Sequence, residues 1–311
     1  MLDRLPHDLV LLLCDLIVPP PTSANLEERC LACQRLSRIA RNWTAAGQKK
    51  LVEQLQITAW PDERRRSRVE ERMKWANQEG RAVRGLDVKA VGGQLGERAT
   101  LLKAVERSES LRDLVLRNFE DFPLSWSACR DLRSLSFHST TIGRSFSLST
   151  FPPFTLTRLA LYDLNLVHLP PLFPHISTLL LRGGSILKSP STYPFLSSFP
   201  SLQILAWDEV APTPSYAFFS HAPVTLKHLL LGIPTPVHYG TERSALVALE
   251  EKRDAGLRLE SLTYRAREGP DETVASEVGV TEAWCGEAGT AFELVVRKKG
   301  EFDLEMWAVK R

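Results

Sequence analysis

The chain of 311 residues is 43% hydrophobic and nearly balanced in charge, with 39 basic against 37 acidic side chains. This composition allows a large core and gives no overall attraction to nucleic acid or to an anionic membrane surface. The five cysteines form an odd set without the spacing of a secreted disulfide framework, which predicts a cytoplasmic or nuclear protein. No window approaches the ~18 apolar residues of a membrane-spanning helix.

The first fifty residues predict a compact module of three helices. Apolar residues recur there at the spacing of one helix face, namely Leu5, Leu9, Leu12, Leu13, Leu16 and Ile17. Pro6 suits the first turn of this helix, and the three prolines at 19–21 end it. Asn25 and Glu28 resemble a capping box that begins a second helical pattern, and 45–54 predicts a third helix.

One apolar triplet, spaced i, i+3, i+5, occurs nine times between residues 52 and 264. The triplets are Val52-Leu55-Ile57, Val83-Leu86-Val88, Leu111-Leu114-Leu116, Leu132-Leu135-Phe137, Leu156-Leu159-Leu161, Ile176-Leu179-Leu181, Leu202-Leu205-Trp207, Leu226-Leu229-Leu231 and Leu259-Leu262-Tyr264. Their spacing centres on the roughly 20–29 residues of a leucine-rich repeat. Each repeat is expected to hold one short strand, and the pattern predicts an α/β solenoid of about nine irregular repeats over 51–277.

The C-terminal segment, 278–311, predicts a cap for that solenoid. Apolar and polar residues alternate at 292–296 and again at 302–308, around Lys299 and Gly300, which is the pattern of a β-hairpin. Before it, the interval between the last two triplets contains a predicted surface helix at 241–255. A solenoid needs its last coil covered, so the hairpin is expected to serve as the cap.

Motifs for catalysis or for cofactor binding are not recognisable in the sequence. Cys30 and Cys33 form a CxxC pair with no second pair, inside a helical pattern, so we interpret them as core residues rather than metal ligands. No phosphate-binding loop and no nucleophile motif occurs, which favours a protein that is not an enzyme and has no cofactor or metal. The basic run at 64–68 is either a nuclear-import signal or, because acidic residues flank it, a solvated helix face.

The residues between and after the apolar members of each triplet are expected to face outward. Leu180 then belongs to a small or apolar floor, and Arg117, His138, Tyr162 and Arg182 belong to a basic and aromatic column beside it. Guanidinium groups bind oxyanions, so these residues are candidates for contact with an acidic or phosphorylated segment of a protein substrate. The alternative is that they are ordinary solvated side chains.

Three segments resemble a known protein family. Residues 5–17 (LPHDLVLLLCDLI) resemble the first helix of an F-box, and 36–41 (LSRIAR) resemble its later Val-Ser-Arg portion. Residues 52–264 resemble the irregular leucine-rich repeats that are joined to F-boxes, notably in fungal proteins. The implied fold is an N-terminal three-helix F-box-like module at 1–50, followed by the repeat solenoid at 51–277 and its cap.

The resemblance implies the substrate-recognition subunit of an SCF-type cullin ubiquitin ligase. In that family the F-box docks on a Skp-type adaptor, the adaptor joins a cullin, and the repeats hold a protein substrate, here unknown. The residues that would contact the adaptor are Leu5, Pro6, Leu9, Leu13, Leu16, Ile17 and Leu36. Two alternatives stay open: a non-degradative leucine-rich-repeat scaffold whose N-terminal leucines pack on the first repeat, and an enzyme with an unrecognised site.

Overall fold

The computed structural model describes residues 5–19, 26–59, 83–90, 104–105, 110–119, 130–138, 141–142, 155–163, 165–166, 173–186, 195–210, 216–232, 241–266, 272–296 and 303–311, with single positions 71, 74, 76 and 108. The chain divides into two compact units, Met1–Asn118 with Pro123–Leu132, and Phe119–Phe122 with Arg133–Arg311. None of the helices within these ranges is long and apolar enough to cross a bilayer. The basic run at 64–68 lies outside the described residues.

Within the described ranges, the longest elements of the first unit are three helices followed by three parallel strands. The helices are α1 (His7–Ile17), α2 (Leu26–Leu36) and α3 (Arg41–Glu53), and the strands are β1 (Gln54–Ala59), β2 (Gly85–Ala90) and β3 (Asp113–Arg117). The strands lie in the order β1-β2-β3. The helices enclose a small core of Val10, Cys14, Cys33, Trp43 and Ala46.

In the part of the second unit that the structure describes there are ten strands and four α-helices. In chain order its strands are β4 (Ser134–His138), β5 (Thr141–Ile142), β6 (Arg158–Tyr162), β7 (Asn165–Leu166), β8 (Thr178–Arg182), β9 (Ser185–Ile186), β10 (Ile204–Asp208), β11 (His228–Gly232), β12 (Ser261–Ala266) and β13 (Ala291–Val296). Its helices are α4 (Tyr216–Phe219), α5 (Thr241–Asp254), α6 (Glu272–Ala288) and α7 (Leu304–Val309), and a 3₁₀ turn spans Phe195–Ser198. The main sheet has the order β4-β6-β8-β10-β11-β12-β13, and β5-β7-β9 form a small second sheet.

The main sheet of the second unit is packed on both faces. On one face the indole of Trp207 contacts Phe195 of the 3₁₀ turn and Phe218 and Phe219 of α4, with ring centroids 5.0–6.4 Å apart. On the other face, α7 packs on the central residues of several strands. Strands buried on both faces have nearly continuous apolar sequences, and TLLLR of β8 and HLLLG of β11 are examples.

The predicted fold class, an F-box-like module followed by a leucine-rich-repeat solenoid, is wrong. All nine triplets lie at strands, but the strands form parallel sheets of an α/β fold that do not close on themselves, with three main strands in the first unit and seven in the second. The solenoid was expected to leave one face of its strands open. In the second unit much of that face is covered, because Ala160, Leu180, Ala206 and Leu230, which were assigned to it, are buried under α7.

The predicted C-terminal hairpin is also wrong. Strand β13 pairs in parallel with β12 rather than with a following strand. Leu304, Trp307 and Ala308 stand at i, i+3 and i+4, which places them on one face of a helix, and all three are buried. Asp303 caps that helix by accepting hydrogen bonds from the backbone N–H of the residues at 305 and 306. The helix predicted at 241–255 is confirmed as α5.

Candidate partner-binding surfaces

Helix α1 of the first unit presents a row of large apolar side chains to solvent. Leu9 is 43% exposed, Leu12 57%, Leu16 76% and Ile17 53%. The opposite side of the helix supplies Val10 and Cys14 to the core, and both are fully buried. The unit therefore builds its own core without these four side chains, which are free to be covered by another molecule.

The residues predicted to contact an adaptor differ in their exposure to solvent. Leu9, Leu16 and Ile17 are exposed, and so is Pro6 at the start of the helix. Leu5 and Leu13 are half-buried against the helical core. Leu36 is only 4% exposed and belongs to that core, so it is not presented to a partner.

Three exposed apolar residues of this unit were missing from the predicted set: Leu12, Leu31 and Ile39. Leu12 belonged to the apolar stripe read from the sequence, and its i+3 spacing from Leu9 was the signal that could have included it. Leu31 lies in α2 and Ile39 between α2 and α3. Nothing in their local sequence distinguishes them from core residues.

A network of charged groups ties the three helices together beneath α1. Lys50 lies 2.5 Å from the carboxylate of Asp15 and 3.3 Å from that of Glu53. Arg29, which is only 6% exposed, donates to the backbone oxygen of Pro19 at 2.8 Å and pairs with Glu53 at 3.5 Å. The network borders a cavity of about 300 Å³. Because its charges are paired within the unit, we assign it to fixing the helices and not to binding a partner.

The residues predicted to bind substrate in the second unit lie under or beside α7. Leu180 is fully buried and Tyr162 is 7% exposed. Tyr162 donates its hydroxyl hydrogen to Oε1 of Glu305 at 3.2 Å, and its ring centroid lies 4.4 Å from that of His138. Burial, with the nearby carboxylate of Glu305, raises the pKa of Tyr162 above its usual value, so the phenol stays a hydrogen-bond donor.

Arg182, the fourth of these residues, belongs to a cluster of charges at the carboxyl ends of the strands. Its Nε donates to Oδ2 of Asp208 at 2.7 Å. The other oxygen of Asp208 accepts from Nε of Arg265 at 2.5 Å, and Arg265 also pairs with Glu209. Burial alone would lower the pKa of Arg265, but the carboxylates of Asp208 and Glu209 outweigh it and raise that pKa, so the guanidinium stays charged.

Gly232 of β11 makes this cluster possible. Arg265 on β12 and Asp208 on β10 are separated by the strand that carries Gly232, which stands in register between them. A Cβ atom at 232 would lie 2.0 Å from Oδ1 of Asp208 and 3.1 Å from Nε of Arg265. Only a residue without a side chain lets the two charged groups meet across the middle strand.

Arg117 lies in the first unit and is also held by a carboxylate of its own chain. Its Nε donates to Oδ1 of Asp87 at 2.9 Å and its Nη2 to Oδ2 at 3.0 Å. Asp87 is only 2% exposed. An oxyanion of a partner would therefore compete with a bidentate contact that already exists. Binding of a substrate through Arg117, His138, Tyr162, Leu180 and Arg182 stays a prediction.

Cys30 and Cys33, both predicted to be core residues, are placed differently by the structure. Cys33 lies in the helical core, as expected from the sequence, and burial raises the pKa of its thiol to about 11. Cys30 is half-buried and does not belong to that core. Burial likewise raises the pKa of Cys285 to about 11. Cys14, Cys30, Cys33 and Cys285 are all free thiols. Within the described ranges no group of three His, Cys, Asp or Glu side chains is placed to hold a metal ion.

Comparison with known proteins does not assign the chain to a family. No family model matches it, and the searches of curated proteins and of solved structures gave no significant match. The resemblance of residues 5–17 to an F-box helix therefore rests on the residues of that segment alone. Function has to be inferred from the surfaces described above.

Proposed function

We propose that this protein is a non-catalytic interaction subunit, the substrate-recognition subunit of an SCF-type cullin ubiquitin ligase, which docks a Skp-type adaptor through α1. The observation that carries the proposal is the exposed apolar row of α1, formed by Leu9, Leu12, Leu16 and Ile17. Leaving four large apolar side chains in water is unfavourable, and covering them with a partner would remove that cost.

The geometry of the row suits a helix that lies in an apolar groove. Leu9, Leu12 and Leu16 stand at i, i+3 and i+7, so they line one face of α1 over two turns. The exposed side chain of Asp8 belongs to the same helix. An apolar centre with charged groups at its rim is the usual composition of a protein interface.

A second candidate function is a non-degradative interaction scaffold, and one observation favours it. The side chains expected to hold a substrate are already engaged within the chain: Arg117 with Asp87, Arg182 with Asp208, and Leu180 beneath α7. A protein that docks through α1 but receives no substrate for ubiquitin transfer would be a scaffold.

Co-purification tests the docking proposal. Tagged wild-type protein is expected to recover the Skp-type adaptor and the cullin, and a Leu9→Asp, Leu16→Asp variant is expected to lose both, because two charges then interrupt the apolar row. Val247→Asp is the matched control, since Val247 is 53% exposed on α5 of the second unit. Recovery of neither subunit by the wild type contradicts the proposal, and recovery of the adaptor without the cullin favours the scaffold.

A further inference from the structure

In the second unit the C-terminal helix α7 covers an apolar area of the main sheet. The floor of this surface consists of Ala160, Leu180, Ala206 and Leu230, which are the central residues of four neighbouring parallel strands. All four are fully buried, and Leu304, Trp307 and Ala308 of α7 cover them. The floor is therefore flat and apolar, and its four members are in register.

Polar side chains of the sheet contact polar groups of α7 beside this floor. Tyr162 donates to one carboxylate oxygen of Glu305 at 3.2 Å, and Nη2 of Arg158 lies 3.3 Å from the other. Oγ1 of Thr263 accepts the indole N–H of Trp307 at 3.1 Å. The surface thus offers a place for a carboxylate, an apolar floor, and an acceptor for an indole.

The contact with Glu305 leaves part of this surface unsatisfied. Nε and Nη2 of Arg158 are both buried, yet neither makes a hydrogen bond to any described residue, and the link to Glu305 is an ion pair without hydrogen-bond geometry. A carboxylate that met the guanidinium squarely would form two charge-assisted hydrogen bonds instead. An acidic residue of another chain can therefore satisfy Arg158 better than Glu305 does.

Helix α7 has little helical stability of its own. It has six residues, and an isolated helix of fewer than ~12–15 residues is marginal in water, so α7 is held by the sheet rather than by its own hydrogen bonds. Val309 on its outer side is exposed, whereas Arg311, beyond its end, pairs with Glu293 and lies over the Trp307 ring. Because α7 is tethered, its effective concentration at the floor is on the order of millimolar, and a competing segment must overcome that advantage.

We propose that this face is the recognition site for a short helical segment of a partner protein that carries the chemistry of α7, and that α7 occupies the site until such a segment displaces it. The segment would present leucine, then an acidic residue, then tryptophan two positions after the acid. This inference rests on the proposed function, because it identifies the surface that would receive the substrate. The experiment below tests the site in the absence of the adaptor.

The experiment uses the full chain and a fluorescent peptide of residues 301–311 (EFDLEMWAVKR) in anisotropy titrations. The Trp307→Ala chain, whose α7 is weakened, is expected to bind the wild-type peptide at least roughly tenfold more tightly than the wild-type chain does, because the tethered competitor is lost. Val309→Ala is the matched control on the exposed side of the same helix, and it should bind as the wild type does. Equal affinity of the Trp307→Ala and wild-type chains overturns the proposal.

Three further measurements guard against ambiguous results. Far-UV circular dichroism establishes that Trp307→Ala is folded, and if it is not, Glu305→Ala takes its place with the same expectation. A peptide with the Glu305→Ala change should bind the Trp307→Ala chain several-fold more weakly, and unchanged binding would exclude the carboxylate contact. A wild-type dimer that the peptide dissociates would assign the face to a second copy and overturn the assignment to a partner.

The inference and the proposed function fail in different experiments. Trp307→Ala is expected to recover the adaptor as the wild type does, because its change lies outside α1. If the Trp307→Ala chain does not bind the peptide but still recovers the adaptor, only the inference is contradicted. If it binds the peptide but the wild type does not recover the adaptor, only the docking proposal is contradicted.

Discussion

Replacement of Asp208 by asparagine is expected to destabilise the second unit strongly. Asp208 is fully buried and accepts from two guanidinium groups, those of Arg182 and Arg265. Asparagine keeps the shape of the side chain but removes its charge, and its amide group turns a donor toward one of the arginines. Arg265 is only 2% exposed, so it cannot recover hydration when its partner is neutralised.

The size of the effect follows from the burial of the two pairs. Breaking a buried ion pair by removing one partner costs about 3–5 kcal/mol. Arg265 retains its contact with Glu209, which favours the lower end of that range. The Arg182 side chain is 27% exposed and can be partly rehydrated, so its share is at most about 1 kcal/mol. We therefore expect a loss of about 3–4 kcal/mol in the free energy of unfolding.

Urea unfolding followed by tryptophan fluorescence and circular dichroism measures this loss. A change of this size lowers the midpoint by roughly 1 M or more at an unchanged slope. Glu260→Gln is the matched control, because the Lys227–Glu260 pair has a similar distance of 2.8 Å but side chains that are 49% and 54% exposed, and no measurable change is expected. A loss below about 1 kcal/mol for Asp208→Asn would refute the reasoning, since it would mean that the buried carboxylate contributes no more than a surface one.

Three other predictions concern local environments. Gly232→Ala should cost about 2–3 kcal/mol in the same assay, because its Cβ would lie 2.0 Å from Oδ1 of Asp208; an unchanged midpoint would contradict this packing. Burial lowers the pKa of His228 below 6.5, so the folded state resists protonation more than the unfolded chain does. The free energy of unfolding of the wild type should therefore decrease as the pH drops below about 6.5. Between pH 7.5 and 5.5 the free energy of unfolding of the His228→Gln variant should decrease less than that of the wild type. Cys33 and Cys285, with pKa values of about 11, should react with iodoacetamide at pH 8 only after unfolding, as measured by mass spectrometry.

The positions of the strands were predictable because the triplet places two apolar residues on the same side of a strand. Leu179 and Leu181 of β8 and Leu205 and Trp207 of β10 are buried in this way. The triplet does not predict what packs against the other side of the strand. The unbroken apolar runs in β8 and β11 were the available signal for a sheet buried on both faces, because a sheet with one open face tends to alternate apolar and polar residues.

The pairing of the arginines was only partly predictable. Arg182 and Asp208 each follow the last apolar residue of a triplet by one position, so the sequence already placed them side by side on neighbouring strands. The contact of Arg265 with Asp208 crosses two strand spacings and depends on Gly232. This contact could not be predicted from the triplet spacing, because the spacing does not show how far a side chain extends across a neighbouring strand.

The exposed face of α1 was harder to predict than its helical state. An amphipathic helix ordinarily turns its leucines toward the core, whereas here Val10 and Cys14 are buried and Leu9, Leu12 and Leu16 face solvent. The apolar residues of α1 lie on more than one face of the helix, and their spacing alone does not determine which face packs against the core. Of the seven residues that the resemblance to an F-box selected, packing leaves Pro6, Leu9, Leu16 and Ile17 exposed, Leu5 and Leu13 half-buried and Leu36 in the core. Their contact with an adaptor stays a prediction.

The two candidate surfaces differ in what a partner must do to bind. The apolar row of α1 is open, so a partner with a complementary groove can cover it without displacing any part of the first unit that the structure describes. The floor under α7 is closed by Leu304, Trp307 and Ala308, so under our proposal a partner segment would compete with a tethered helix and would replace its acidic and aromatic contacts. Docking through α1 would then be constitutive, whereas recognition at the floor would be conditional on a segment that matches α7. A receptor with one open docking surface and one covered recognition surface would remain attached to its complex, and it would accept only substrates that reproduce the chemistry of its own C-terminal helix.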